Sequence, residues 1–248
     1  MFINGILHNS EAWHGVNKSH IDQLSKVDHQ LLRSVLSAHS KIPTEFLYLE
    51  TGVLPVKFVI SSRRLNYLIE IHNREDHELI KRIYTKQRQD PVRGDWTELV
   101  DRDLESLELT EESLRTMDKS SAKKEIKTKT KIAAFKELKS IQATHEKVKD
   151  ILYTQFESQE YLKSSIITNK EAELITALRS KTVRGIKSNF HTFYQEDLQC
   201  NLCKKYQDTQ IHCMNCEVIL SRISDIKSHI SYEHLFGDVK EQKDVAQL

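Results

Sequence analysis

At 248 residues the chain can bury one sizeable core or two modest ones, and its formal net charge of +1 excludes no partner by itself. Charged residues make up 29%, against only 6 Gly and 3 Pro, which is the composition of long helices joined by short links and predicts an all-α fold. No stretch approaches a membrane span, and residues 1–15 lack the basic and apolar blocks of a secretion signal. The 4 Cys fall in one segment rather than being scattered, so a soluble, intracellular chain in nucleus or cytoplasm is expected, with neither a membrane nor a small-molecule substrate as partner.

In chain order, Phe2, Ile3, Ile6, Leu7 and Trp13 make the first residues too apolar for a free tail. Ser19-x-x-Asp22 has the form of a helix start, followed by an apolar stripe of Ile21, Leu24, Val27, Leu31, Val35 and Leu36. Pro43-Thr44 opens a short helix through Leu47-Tyr48-Leu49, which Gly52 closes. Pro55 sits at the first position of the next helix, where Val56, Val59, Ile60, Tyr67, Leu68 and Ile71 recur at helical spacing. Arg63 and Arg64 fall inside that stripe, and buried stems with heads paired to carboxylates explain them better than a nucleic-acid contact. Asp76 is placed to cap residues 78–88, and Pro91-x-x-Gly94-Asp95 turns into a helix near Trp96.

Charge then separates into blocks. Residues 95–118 are acidic, whereas Lys119, Lys123, Lys124, Lys127, Lys129, Lys131, Lys136 and Lys139 follow with few carboxylates among them. Such a face either folds against its acidic neighbour or tracks phosphates without reading sequence. Ile132, Phe135, Leu138, Ile141, Val148, Ile151 and Leu152 give it a core side. Thr168-Asn-Lys-Glu171 has capping-box form and opens a helix with Ala172, Leu174, Ile175 and Leu178 on its apolar side. Arg179, Lys181, Arg184 and Lys187 come next, then Phe190, Phe193 and Tyr194. Basic residues interleaved with aromatics beside a cysteine cluster are a better nucleic-acid signal than either alone. The tail, residues 235–248, is expected to end in a frayed helix.

The cluster itself runs from Cys200 to Cys216. A C-x2-C step lets two thiolates reach one tetrahedral zinc ion, and the loop 204–211 is long enough to bring a second pair opposite. Three ligand sets are open. Cys200, Cys203, His212 and Cys216 make a knuckle-like site, and Cys200, Cys203, Cys213 and Cys216 make an all-thiolate one. Cys213, Cys216, His229 and His234 have the spacing of a ββα finger, with Leu220 and Ile226 at its core positions. That third set strands Cys200 and Cys203, and its base-reading positions, Ser221, Ser224 and Lys227, lack the usual Arg or Asn.

Three early segments occur in a telling order: Ile6-Leu7-His8-Asn9-Ser10-Glu11-Ala12-Trp13, Leu47-Tyr48-Leu49-Glu50-Thr51-Gly52 and Arg63-Arg64-Leu65-Asn66-Tyr67-Leu68. Leu178-Arg179-Ser180, Asn189-Phe190, the cysteine segment and Tyr232-Glu-His-Leu-Phe236-Gly237 continue it. The whole chain resembles the region downstream of the polymerase core in non-LTR (LINE-type) retrotransposon reverse transcriptases, the RNA-directed DNA polymerases of these mobile elements. The resemblance implies a thumb and connector followed by a terminal CCHC zinc knuckle on Cys200, Cys203, His212 and Cys216, with Cys213, His229 and His234 as bystanders. It implies binding of template RNA or target DNA without sequence specificity, through the knuckle, Arg179, Lys181, Arg184, Lys187, Lys204 and Lys205. Polymerisation needs paired aspartates holding two magnesium ions, and no Asp-Asp pair occurs here. Asp101-x-Asp103 reads as a solvated face. A nucleic-acid-binding, non-catalytic region is therefore expected, divided into a helical bundle over 1–92, a helical connector over 93–195 and a knuckle with tail over 196–248. The rival from another class is a helical interaction scaffold with structural zinc.

Overall fold

The computed structural model describes residues 5–183, 186, 198–222 and 235–246, and among these it is all-α, with a single isolated antiparallel bridge between Gln199 and Gln207. The helices are α1 (Lys18–Val35), α2 (Thr44–Thr51), α3 (Val56–His72), α4 (Leu79–Gln89), α5 (Trp96–Ser106), α6 (Glu111–Arg115), α7 (Lys119–Gln142), α8 (Glu160–Lys163), α9 (Asn169–Arg179), α10 (Gln210–Asn215), α11 (Glu217–Arg222) and α12 (Val239–Ala246). None is long and apolar enough to cross a membrane.

One compact unit comprises Met1–Gln30 with Leu54–Leu138, and a second comprises Leu31–Val53 with Lys139–Leu248. Two of the boundaries fall inside α1 and α7, where the composition of the sequence gives no break.

In the first unit α3 is buried on most of its surface, which explains why its apolar positions outnumber a single stripe. Leu7, Val56 and Ile60 meet there, flanked by Trp13, Ile21, Leu24 and Val59. The arginine pair behaves as the sequence reading preferred. Arg64 is buried in an ion pair with Asp103 of α5, to which Ser61 also donates at 2.7 Å, and Arg63 donates to the Leu7 carbonyl. Asp103 is thus no solvated carboxylate: burial pushes its pKa up, against the pull of Arg64. Asp101 is exposed but accepts both arms of a bond from Arg88 Nη1, at 2.7 and 2.8 Å. Trp96 donates to the Glu11 carbonyl at 2.8 Å and meets Tyr67 and Tyr84 edge-on.

Along α7 the buried positions are Ala122, Ile126, Thr130, Ala134, Leu138 and Gln142, every fourth residue, whereas Ile132 of the expected core side is exposed. That repeat walks about 40° round the helix per step, so no fixed stripe appears in the sequence. Part of the lysine face is paired within the unit: Lys119 and Lys123 reach Glu70 at 2.7 and 2.6 Å, and Lys57 reaches Glu137. Lys124 and Lys127 are exposed and have no carboxylate partner among the described residues.

In the second unit α2 begins after Pro43 and ends on Gly52 in the left-handed region at φ 64°, whose N–H closes the helix on the Tyr48 carbonyl. A side chain there would also run into the backbone of Glu157 and Ser158, so glycine is required twice over. The Thr168–Glu171 capping box forms as expected and starts α9. Elsewhere the starts move: Asn17, ahead of Ser19, accepts the His20 N–H at 3.1 Å, Pro55 lies just outside α3, and Glu78 rather than Asp76 precedes α4. On α1 the buried apolar residues are Leu32 and, just beyond it, Leu36, whereas Val27 and Val35 of the expected stripe are exposed.

The C-terminal helix is more than a frayed end. Leu178, Leu235 and Val245 pack together, and Val239 and Ala246 lie against Tyr161, Ile167 and Ile175. At the centre of this unit Glu50, fully buried, accepts from the hydroxyls of Tyr153 and Tyr161 and from Arg179 at 2.9 Å. Arg179 also donates to the Leu235 carbonyl at 2.8 Å. Burial and the Glu50 charge together hold both tyrosine hydroxyls far above their ordinary pKa, so they remain donors.

Candidate metal centre

The cysteine segment is built from a tight hairpin and a short helix. Gln199 bridges Gln207, the Cys200 N–H donates to the Tyr206 carbonyl at 2.8 Å, and the Asp208 N–H donates to the Leu198 carbonyl. The hairpin tip carries Cys200 and Cys203. Lys204 takes the left-handed conformation at φ 56°, its N–H donating to the Cys200 carbonyl at 3.0 Å. The turn so formed aims the next N–H, of Lys205, at the Cys203 sulfur at 3.5 Å. Thr209 then caps α10, its hydroxyl accepting the His212 N–H at 3.0 Å. Cys216 follows four positions after His212, about one helical turn on and just past the end of α10, which brings both to the same side.

The result is that one ligand atom each from Cys200, Cys203, His212 and Cys216 lies within 4.8 Å of every other. His212 Nε2 lies 3.2 Å from the Cys203 sulfur. A tetrahedral ion about 2.3 Å from sulfur and about 2.0 Å from nitrogen holds its ligands about 3.5–3.8 Å apart, which a small adjustment of this cluster supplies, the Cys203–His212 pair opening slightly and the widest pairs closing. The cluster is therefore one that can hold a metal ion. Cys200 and Cys216 are buried, while Cys203 and His212 are half-exposed.

Electrostatics prepare the sulfurs unequally. The Lys205 N–H, bonded to the Cys203 sulfur, outweighs desolvation and brings that thiol down to about 6, with help from Tyr206, Cys200 and His212. Burial pushes the Cys216 thiol up. Cys213 stands outside the cluster: it lies next to His212 on α10, about 100° round the helix, and burial raises its thiol as well. Of the three ligand sets in the sequence, the one containing His212 is assembled. The set ending in His229 and His234 lies partly outside the described residues.

The module is fastened to α9. Gln210, the first residue of α10, donates its amide to the Leu178 carbonyl at 2.6 Å in a buried contact. This ties the module carrying the ligand cluster to the end of α9, where the expected basic segment begins, but the first residue of that segment is not on the surface. Arg179 is only 3% exposed, its guanidinium consumed by Glu50 and Leu235. It is therefore a structural residue and not the nucleic-acid contact expected from the sequence. The cause is a buried carboxylate 129 positions away that no local pattern announces. Lys181 is half-buried, in the left-handed conformation at φ 52°, and Arg184 and Lys187 lie outside the described residues, as do Phe190, Phe193 and Tyr194. Lys204 and Lys205 are exposed beside the cluster; Lys205 pairs with Glu217 at 3.0 Å across solvent.

The sequence reading overlooked the apolar residues of the same module. Leu202, Tyr206 and Ile211 are all exposed, and the Tyr206 ring sits 5.4 Å from the His212 imidazole. Their signal was present as one aromatic and two aliphatic residues spaced between the ligands. Comparison with known proteins adds nothing to this picture: no family model, curated protein or solved structure gives a match to the chain.

Proposed function

We propose that this chain is a zinc-organised, nucleic-acid-binding protein that holds RNA or DNA without sequence specificity. Its role would match the expectation for the C-terminal region of a LINE-type retrotransposon reverse transcriptase. The observation that carries the reading is the convergence of three thiols and one imidazole on one point. Three sulfurs and a nitrogen suit zinc among the divalent metals, and a site with four protein ligands is closed, hence structural. Bound zinc supplies the cross-link between the Cys200–Cys203 hairpin and α10. The chain's own residues do the rest. Cys203 enters with its proton already loosened, Thr209 fixes the start of the ligand helix, and Gln210 ties the module to α9.

Phosphate contact is assigned to Lys204 and Lys205, with Lys124 and Lys127 as a second exposed pair on α7. Such contacts release counterions and weaken steeply with salt. In this reading the chain polymerises nothing, having no Asp-Asp pair for two magnesium ions, and works inside the cell. The test is a gel-shift titration with single-stranded RNA and DNA at two salt concentrations. Binding should fall with salt and with the double substitution Lys204→Glu/Lys205→Glu. Salt-independent binding, or none, removes the reading.

One observation favours a second reading, a helical interaction scaffold with a purely structural metal. Lys119 and Lys123 both close on Glu70 of α3, which takes part of the lysine face out of reach of phosphates, although the carboxylate lies outside the acidic block of residues 95–118. That reading predicts retained zinc with no nucleic-acid binding at any salt concentration.

A further inference from the structure

Small metal modules have little core, because the metal–ligand bonds supply the folding energy that apolar burial supplies elsewhere. Large apolar side chains on such a module are then free to face solvent, where they need a reason to be. Tyr206 is 60% exposed, Ile211 59% and Leu202 45%. Leu202 adjoins Cys203, Ile211 adjoins His212, and the Tyr206 ring touches the His212 ring. All three are thus tied to one cluster of ligand atoms. The nearest charges in sequence are Lys204 and Lys205. Among the described residues Lys204 bonds only the Asn201 side-chain oxygen and, through its backbone, Cys200, while the Lys205–Glu217 pair is exposed and exchanges readily.

We propose that Tyr206, flanked by Leu202 and Ile211, is a stacking platform for an unpaired nucleobase, with Lys204 and Lys205 on the adjoining phosphates. This rests on the nucleic-acid-binding reading above and narrows it to single strands. A duplex keeps its base faces inside its own stack, whereas an unpaired base offers a π-face of nearly the ring's area. The tyrosine is already half-oriented: its carbonyl is fixed by the Cys200 N–H in the hairpin, and its ring rests on the His212 imidazole, which a bound metal would immobilise. Little side-chain freedom remains to be lost on binding. Stacking does not read the ribose 2′-hydroxyl, so RNA and DNA strands should both qualify.

The test uses the full zinc-loaded chain and single strands of about 12 nucleotides carrying 2-aminopurine, in RNA and DNA forms, beside the matching duplexes. Metal content is measured for each variant to establish that the module is folded. Fluorescence of 2-aminopurine should be quenched on binding to the native chain. Tyr206→Ala should weaken single-strand binding roughly tenfold or more and abolish the quench, and Tyr206→Phe should retain both. Duplex binding should be weaker than single-strand binding and indifferent to Tyr206. If strands bind but Tyr206→Ala with full zinc content binds equally well, or duplexes bind as tightly, the platform is refuted while the nucleic-acid reading stands. If neither strands nor duplexes bind the native chain, both fall together.

Discussion

The buried meeting of Glu50 with Arg179, Tyr153 and Tyr161 is open to a direct energetic test. Glu50→Gln keeps the shape of the side chain but replaces one acceptor by a donor that faces a hydroxyl or the guanidinium. The carboxylate takes both hydroxyls and two guanidinium nitrogens, so no rotation of the amide satisfies all of them. Removing one partner of a buried ion pair costs roughly 3–5 kcal/mol, chiefly because the other charge is left unpaired. Retained bonds to one oxygen place Glu50→Gln near the lower end, at about 3 kcal/mol, and Glu50→Ala near the upper. With an m-value of about 2 kcal/mol/M, the urea midpoint should fall by about 1.5 M for the amide. Both tryptophans, Trp13 and Trp96, lie in the other unit, so the assay is far-UV circular dichroism with hydrogen exchange at α9. The double variant Glu50→Leu/Arg179→Met should recover part of the loss, because apolar residues of similar size remove the uncompensated charge while the Tyr153 and Tyr161 hydroxyls still lack their acceptor. Single variants costing less than about 1 kcal/mol, or a double variant as costly as the sum of its parts, would refute the reasoning.

Metal content divides the ligand sets: His212→Ala should lose stoichiometric zinc while His229→Ala keeps it, measured by atomic absorption after dialysis. Gly52→Ala should destabilise the second unit by about 3 kcal/mol or more, since it adds a left-handed penalty to a backbone collision; a thermal melt reads it. Glu111 supplies an acid-stability prediction. Burial pushes its carboxyl up, but hydrogen bonds from His72 and Tyr84 and the charges of Arg88 and Arg115 prevail and bring it to about 2. A depressed pKa stabilises fully above the unfolded value of about 4.5, and the contribution is lost as pH falls from there towards 2. Discounted for partial exposure, the loss is about 2 kcal/mol, and Glu111→Gln should flatten stability across that window.

Local chemistry was legible in the sequence wherever one short segment decides the outcome. The Thr168–Glu171 box, the helix start at Trp96 after the Pro91–Asp95 turn and the Gly52 stop all follow from a few neighbouring residues, and all form. The two C-x2-C steps announced a cluster able to hold a metal ion, and the fold then brings His212 rather than Cys213 into it through the phase of a single helical turn. What could not be read were pairings at long range. Arg179 resembles any exposed basic residue until Glu50 is placed beside it, and Asp103 resembles a solvated acid until Arg64 is. The second reason for Gly52, the passing backbone of Glu157 and Ser158, is likewise invisible along the chain. Unit boundaries inside α1 and α7 leave no compositional mark, because a helix continues with the same residues on either side of them.

The buried amide of Gln210 has a consequence beyond anchoring. It grips the carbonyl of Leu178, the immediate neighbour of Arg179, so the cysteine module and the carboxylate pocket pull on adjacent peptide units. On the zinc reading proposed above, starving the chain of the metal would do more than let one hairpin unravel; it would slacken the far end of the helix on which the pocket closes. Trace-metal supply and resistance to proteolysis in that half of the molecule would then become a single, jointly adjustable property.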